Sequence, residues 1–120
     1  MSVKSLPQGC DNNSSFVNLL DKIPSEPDAM LVADTFKLIS DGTRLRVLSL
    51  LCHSEECVTN IASACGMSLP AVSHHLKMLK SAGLIDMRRE GKETYYKLAS
   101  NNEGKLVHRI IDDVFNFKCK

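Results

Sequence analysis

Two sets of side chains in this sequence could act on something outside the chain. The first is thiol: Cys10, Cys52, Cys57, Cys65 and Cys119 are five cysteines in 120 residues. Their odd number, and an N-terminal stretch MSVKSLPQGCDNNSS without the apolar centre of a secretion signal, disfavour a disulfide framework. Thiol reactivity and soft-metal binding are the chemistries left, beside plain burial of cysteine in a core. The second set is basic. Net charge is only +1, yet residues 68–97 carry six Lys and Arg against three Asp and Glu. A local positive patch on a near-neutral chain suits contact with phosphates.

The elements that must position these groups follow from periodicity. Residues 1–15 have none and read as an arm bearing Cys10. Phe16, Leu19, Leu20 and Ile23 recur at helical spacing up to Pro24. From Asp28 a second apolar stripe, including Met30, Leu31, Phe36 and Ile39, predicts a helix that stops near Asp41-Gly42. Thr43 is the expected cap of the next helix. Its residues Leu45, Val47, Leu48, Leu50 and Leu51 are too dense for a surface position and belong in a core.

The segment 59–98 is the organising unit. Thr59 is the expected N-cap of a short helix over 60–65. Gly66-Met67-Ser68 is a tight turn in which glycine can leave the helix left-handed and Ser68 can cap the next one, with Pro70 in its first turn. In that helix Val72, Leu76 and Leu79 make one buried stripe and leave Ser73, His74, Lys77 and Lys80 outside it. After Ala82-Gly83 the period changes to that of two strands, 84–89 and 94–98, joined by Glu90-Gly91-Lys92. Residues 101–117 return to a helix whose apolar face exceeds the needs of one small core, so a second copy of the chain is its expected cover.

Helix, glycine turn, helix and basic hairpin predict a mainly α winged helix-turn-helix with a two-stranded β-wing and a helical homodimer interface. In such a unit the second helix offers its N-terminal residues to base edges, and Arg88, Arg89 and Lys92 of the hairpin reach flanking phosphates. Residues 1–27 are then an arm with a short helix, and 28–120 the winged domain with a C-terminal dimerisation helix. The competing class is a winged module that binds protein rather than DNA. No glycine-rich phosphate loop, HExxH or GxSxG is present, so an enzyme is not expected. No apolar run has membrane-spanning length, and a cytoplasmic protein without membrane contact is expected.

The runs DGTRLRVLSLL and CVTNIASACGMSLPAVSHHLKMLKSAGLIDMRREGKETYYKL resemble the ArsR/SmtB family of metal- and thiol-responsive transcriptional repressors over about residues 30–117. The resemblance implies a homodimer that binds an inverted-repeat operator and releases it when an effector binds. It puts Ser68, Ser73 and His74 at DNA contacts with Lys77 nearby, and Arg88, Arg89 and Lys92 in the wing. Metal-sensing members carry ELCVCDL where this chain has EECVTNI. Cys57 keeps the first thiol and Thr59 replaces the second. A soft ion such as cadmium, lead, zinc or arsenic needs about three donors or more, so Cys10, Cys52 or His53 would have to join Cys57. A second family site on the last helix lacks its leading Asp-x-His, because Asn101, Asn102 and Glu103 stand there. The remaining alternative is a persulfide or oxidation switch, for which related proteins use positions that align with Ser49 and Asn116. In this chain Cys52 and Cys119 lie one helical turn beyond them.

Overall fold

A computed structural model describes residues 14–118. The elements run α1 (Ser14–Leu19), a 3-10 turn (Leu20–Lys22), α2 (Glu26–Ile39), α3 (Gly42–His53), β1 (Glu56–Cys57), α4 (Val58–Cys65), α5 (Leu69–Ser81), β2 (Ile85–Glu90), β3 (Glu93–Leu98) and α6 (Asn102–Lys118). The chain divides into two compact units, Met1–Phe36 and Lys37–Lys120. In the first, Met30, Leu31, Val32 and Phe36 of α2 stand exposed. The second holds the predicted winged helix-turn-helix.

Its core is one cluster: Val47, Leu48 and Leu51 of α3, Ile61 and Cys65 of α4, Val72, Leu76 and Leu79 of α5, Leu84 and Ile85 at the start of the hairpin, and Val107 and Ile111 of α6. All buried groups are apolar, and no buried side-chain nitrogen or oxygen among the described residues lacks a partner. The density of leucine in 45–51 thus does mark core. No helix of the described residues is long and apolar enough to cross a membrane.

Two expected caps are corrected. Asp41, not Thr43, caps α3, its carboxylate accepting from the Arg44 amide at 3.0 Å. Helix α4 starts at Val58 with Cys57 as its N-cap residue, and Thr59 lies inside it. The reason for the second shift is a strand that periodicity could not reveal. Glu56 and Cys57 pair antiparallel with Tyr96 and Tyr95, so the wing is the outer part of a three-stranded sheet in the order β1-β3-β2. Once Cys57 is held in extended geometry by that pairing, the helix can begin only after it.

The turn chemistry is as expected. Gly66 sits at φ +65°, and the Met67 amide donates to the Ala62 carbonyl at 2.9 Å, closing α4 with a left-handed residue that a side chain would strain. Ser68 Oγ accepts from the Ala71 amide at 3.3 Å and opens α5. At the other end Asn101 serves two elements. Its Oδ1 accepts from the Gly104 amide at 2.8 Å, and its Nδ2 donates to the Gly83 carbonyl at 2.9 Å, tying the start of α6 to the end of α5.

Gly104 is buried where α6 closes on the end of β3, and a Cβ there would run into the Ala99 carbonyl. Alanine is the better helix former by about 1 kcal/mol, yet Gly104→Ala should lower stability by about 1–3 kcal/mol because backbone has to move. Urea unfolding reads the sign directly, and a gain in stability would contradict the close approach.

Candidate nucleic-acid interface

Helix α5 divides sharply by face. Val72 and Leu79 are fully buried and Leu76 nearly so, while Ser68, Leu69, Ser73, His74 and Lys77 are exposed along its N-terminal half and middle. A helix buried on one stripe presents the opposite one as a rigid rail. That rail carries hydroxyl, imidazole and ammonium groups suited to base edges and phosphates. Of the expected residues, Ser73, His74 and Lys77 lie on the side opposite the buried stripe, and Ser68 stands exposed at the N-terminal cap.

Arg44, which the sequence did not single out, fixes the orientation of this helix. From the first turn of α3 its Nε donates to His75 Nδ1 at 3.2 Å, one Nη to the Leu38 carbonyl at 2.9 Å and the other to Met78 Sδ at 3.4 Å. One guanidinium thereby joins the end of α2, the start of α3 and the inner edge of α5. It also separates the two adjacent histidines: His75 is half-buried and occupied, and His74 is exposed. Arg46 donates to the Cys65 carbonyl at 3.0 Å, placing a cation at the C-terminus of α4 where the helix dipole favours it.

On the wing, the expected residues part company. Arg89 and Lys92 are exposed and have no ion-pair partner among the described residues. Arg88 is engaged internally, with Glu55 at 2.9 Å and Glu90 at 2.6 Å. Its guanidinium also stacks over the Tyr95 ring at 4.8 Å.

The thiols fall into different environments. Cys65 is core. Cys57 is buried at the junction of the sheet and α4. Cys52 is half-buried and shares a shallow cleft of about 400 Å³ with His53, Glu55 and His108. Cys10 and Cys119 lie outside the described residues. Among the described residues no three His, Cys, Asp or Glu side chains converge in a way that could hold a metal ion. Cys57, Cys52 and His53 are therefore not gathered into one donor set, and an ion held by Cys57 needs donors from elsewhere. On α6, His108 Nδ1 and Asp112 are paired at 2.9 Å, one helical turn apart.

Ser49 and Asn116 line one cleft with Asp112 and Phe115, so the two positions aligned with a thiol pair in related proteins do face a common space. Ser49 spends its hydroxyl on the Leu45 carbonyl at 2.7 Å. Cys52, one turn later, is pushed up to about 11, first by burial and then by the negative charge of Asp112. Both effects disfavour the thiolate, which is the form that attacks or ligates.

Comparison with known proteins agrees with the geometry. Residues 41–87 match the model of the arsR family of bacterial regulatory proteins. A transcriptional repressor SmtB homolog of Synechocystis is 37% identical over 91 residues, covering 76% of this chain and 69% of that protein. A cadmium resistance transcriptional regulatory protein CadC homolog of Staphylococcus aureus is 36% identical over 94 residues, 78% of each chain. The solution structure of a homodimeric winged helix-turn-helix DNA-binding domain from Mycobacterium bovis, a possible ArsR-family regulator, superimposes with a TM-score of 0.63 at 35% identity, covering 88% of this chain and 86% of that one.

The environment of Cys52 makes a checkable statement. With its pKa near 11 against an ordinary 9.0, iodoacetamide at pH 8 should label it about a hundredfold more slowly than the same cysteine in the unfolded chain. Asp112→Asn should speed labelling, read by peptide mass. Fast labelling that ignores Asp112→Asn would contradict the assignment.

Proposed function

The chain belongs to the arsR family of DNA-binding transcription regulators, and from that premise we propose that it is a homodimeric repressor of an inverted-repeat operator, released by a thiophilic metal or metalloid at cysteine. The observation that carries the DNA half is the two-sided α5, buried through Val72, Leu76 and Leu79 and exposed through Ser73, His74 and Lys77. Ser68, Ser73 and His74 meet the bases and adjoining phosphates, Lys77 the backbone, and Arg89 and Lys92 the flanking duplex. The exposed apolar residues Met30, Leu31, Val32 and Phe36 of α2, and Leu106, Val114 and Phe115 of α6, are the surfaces that pairing of two chains would cover.

For the effector, the relative named for cadmium resistance supports a soft ion. Cys57 is the first donor and Cys10 the second, and Cys52 or His53, which do not converge on Cys57 in this structure, would have to move to join them. The place of Cys57 supports a route to DNA. Its backbone heads α4 and pairs with Tyr95 of the wing strand. A displacement of Cys57 therefore moves the first helix of the DNA-binding unit and the sheet together.

An electrophoretic shift with DNA from upstream of its own gene tests the reading, and absence of binding in every metal and thiol state would end it. Arg89→Ala and Lys92→Ala should weaken binding to all sequences and flatten the slope of log K against log salt by about 0.9 each. Ser73→Ala and His74→Ala should instead change sequence preference. Equal losses on operator and random duplex for all four variants would refute that division. Titration with cadmium, lead, zinc or arsenite should produce thiolate-to-metal absorption and release of DNA. Both should be lost in Cys57→Ser, and their retention there would remove Cys57 from the site.

A further inference from the structure

Among the wing cations Arg88 is the exception. Its Nε donates to Glu55 Oε2 at 2.9 Å and its Nη2 to Glu55 Oε1 at 2.9 Å, a two-point fork across 33 residues of sequence. The other Nη donates to Glu90 at 2.6 Å, and the guanidinium plane lies over Tyr95. The neighbouring Arg89 projects from the opposite face of β2, as successive strand residues do. Glu55 is ionised at neutral pH, held below the usual carboxylate range chiefly by its hydrogen bond from Arg88.

The place of the fork gives it meaning. Glu55 lies on the short connection between α3 and β1, two residues before Cys57. In the sheet register Cys57 stands opposite Tyr95, and Tyr95 opposite Arg88. Directly opposed residues share a face, so one row runs from Cys57 through Tyr95 to Arg88. Glu55 then closes that row back onto the connection that carries Cys57. Two-stranded hairpins are marginal alone, and a planar, bidentate tie of this kind sets direction as well as distance.

We propose that Arg88 is a positioning residue: forked to Glu55, it sets the wing against the segment before Cys57, so that Arg89 and Lys92, not Arg88, carry the wing's phosphate contacts. This rests on the wing contacting DNA, and the controls below separate the two claims. Glu55 is part of the same device, although its negative charge near DNA would by itself oppose binding.

Affinity for upstream DNA of full-length Glu55→Gln, Arg88→Gln, their double variant and Arg88→Lys tests this, with Arg89→Ala and Lys92→Ala as controls. Glu55→Gln should weaken binding by up to about fivefold, the upper end for a half-exposed pair, and Arg88→Gln by at least as much, because it also gives up Glu90 and Tyr95. The double variant should bind no more weakly than Arg88→Gln alone. Arg88→Lys should stay weak, since an ammonium keeps the charge but cannot bridge both oxygens, Glu90 and Tyr95 at once. Tighter binding by Glu55→Gln, additive losses in the double variant, or recovery in Arg88→Lys would overturn the proposal and make Arg88 a phosphate contact. If Arg89→Ala and Lys92→Ala leave the salt slope unchanged, the wing does not touch DNA, and the fork's role falls with that reading.

Discussion

The structure depends on complete withdrawal of one stripe of α5 from water. Val72, Leu76 and Leu79 are the contact between the reading helix and the rest of the domain, and they meet α3, α4, the hairpin start and α6 in one cluster. Each fully buried Leu or Val contributes about 1.5–3 kcal/mol. A helix so held cannot roll without exposing its stripe, and its opposite face is therefore defined to within a fraction of a turn. Base recognition needs that definition, because side chains reach base edges only from a fixed angle.

Burial sets the roll of α5, and polar ties join the segments around it. Three arginines supply them at separate places: Arg44 between α2, α3 and α5, Arg46 from α3 to the end of α4, and Arg88 from the wing to the connection before β1. In each case a planar donor joins segments far apart in sequence. Such groups reward geometry more than they add stability at a solvated surface. The apolar cluster makes the fold, and the guanidinium groups tie its separate segments together.

The legible part of the sequence was what local physics determines. The Gly66-Met67-Ser68 turn, the α5 stripe and the strand period after Gly83 are set by residues within a few positions of one another, and the structure agrees with each. The two-residue β1 was invisible because a pair of residues has no periodicity, and its pairing with β3 displaced the expected cap from Thr59 to Cys57. In a one-dimensional string Arg44 goes unremarked and Arg88 reads as a phosphate contact of the wing. Their partners His75, Met78 and Glu55 lie 31, 34 and 33 residues away. The cysteines were legible as a set of residue types and not as a site, because assembling donors is a tertiary matter and two of the five lie near the ends of the sequence.

The central claim is that the exposed edge of α5 and the outer wing form one DNA-reading surface held by a silent core. Amide chemical shifts of the labelled protein, followed while a duplex from upstream of its own gene is added, test it most directly. The largest changes should fall on residues 68–77 and on Arg89 to Lys92, with α3 little affected. Changes centred instead on α2 or the outer face of α6, with 68–77 unmoved, would contradict it.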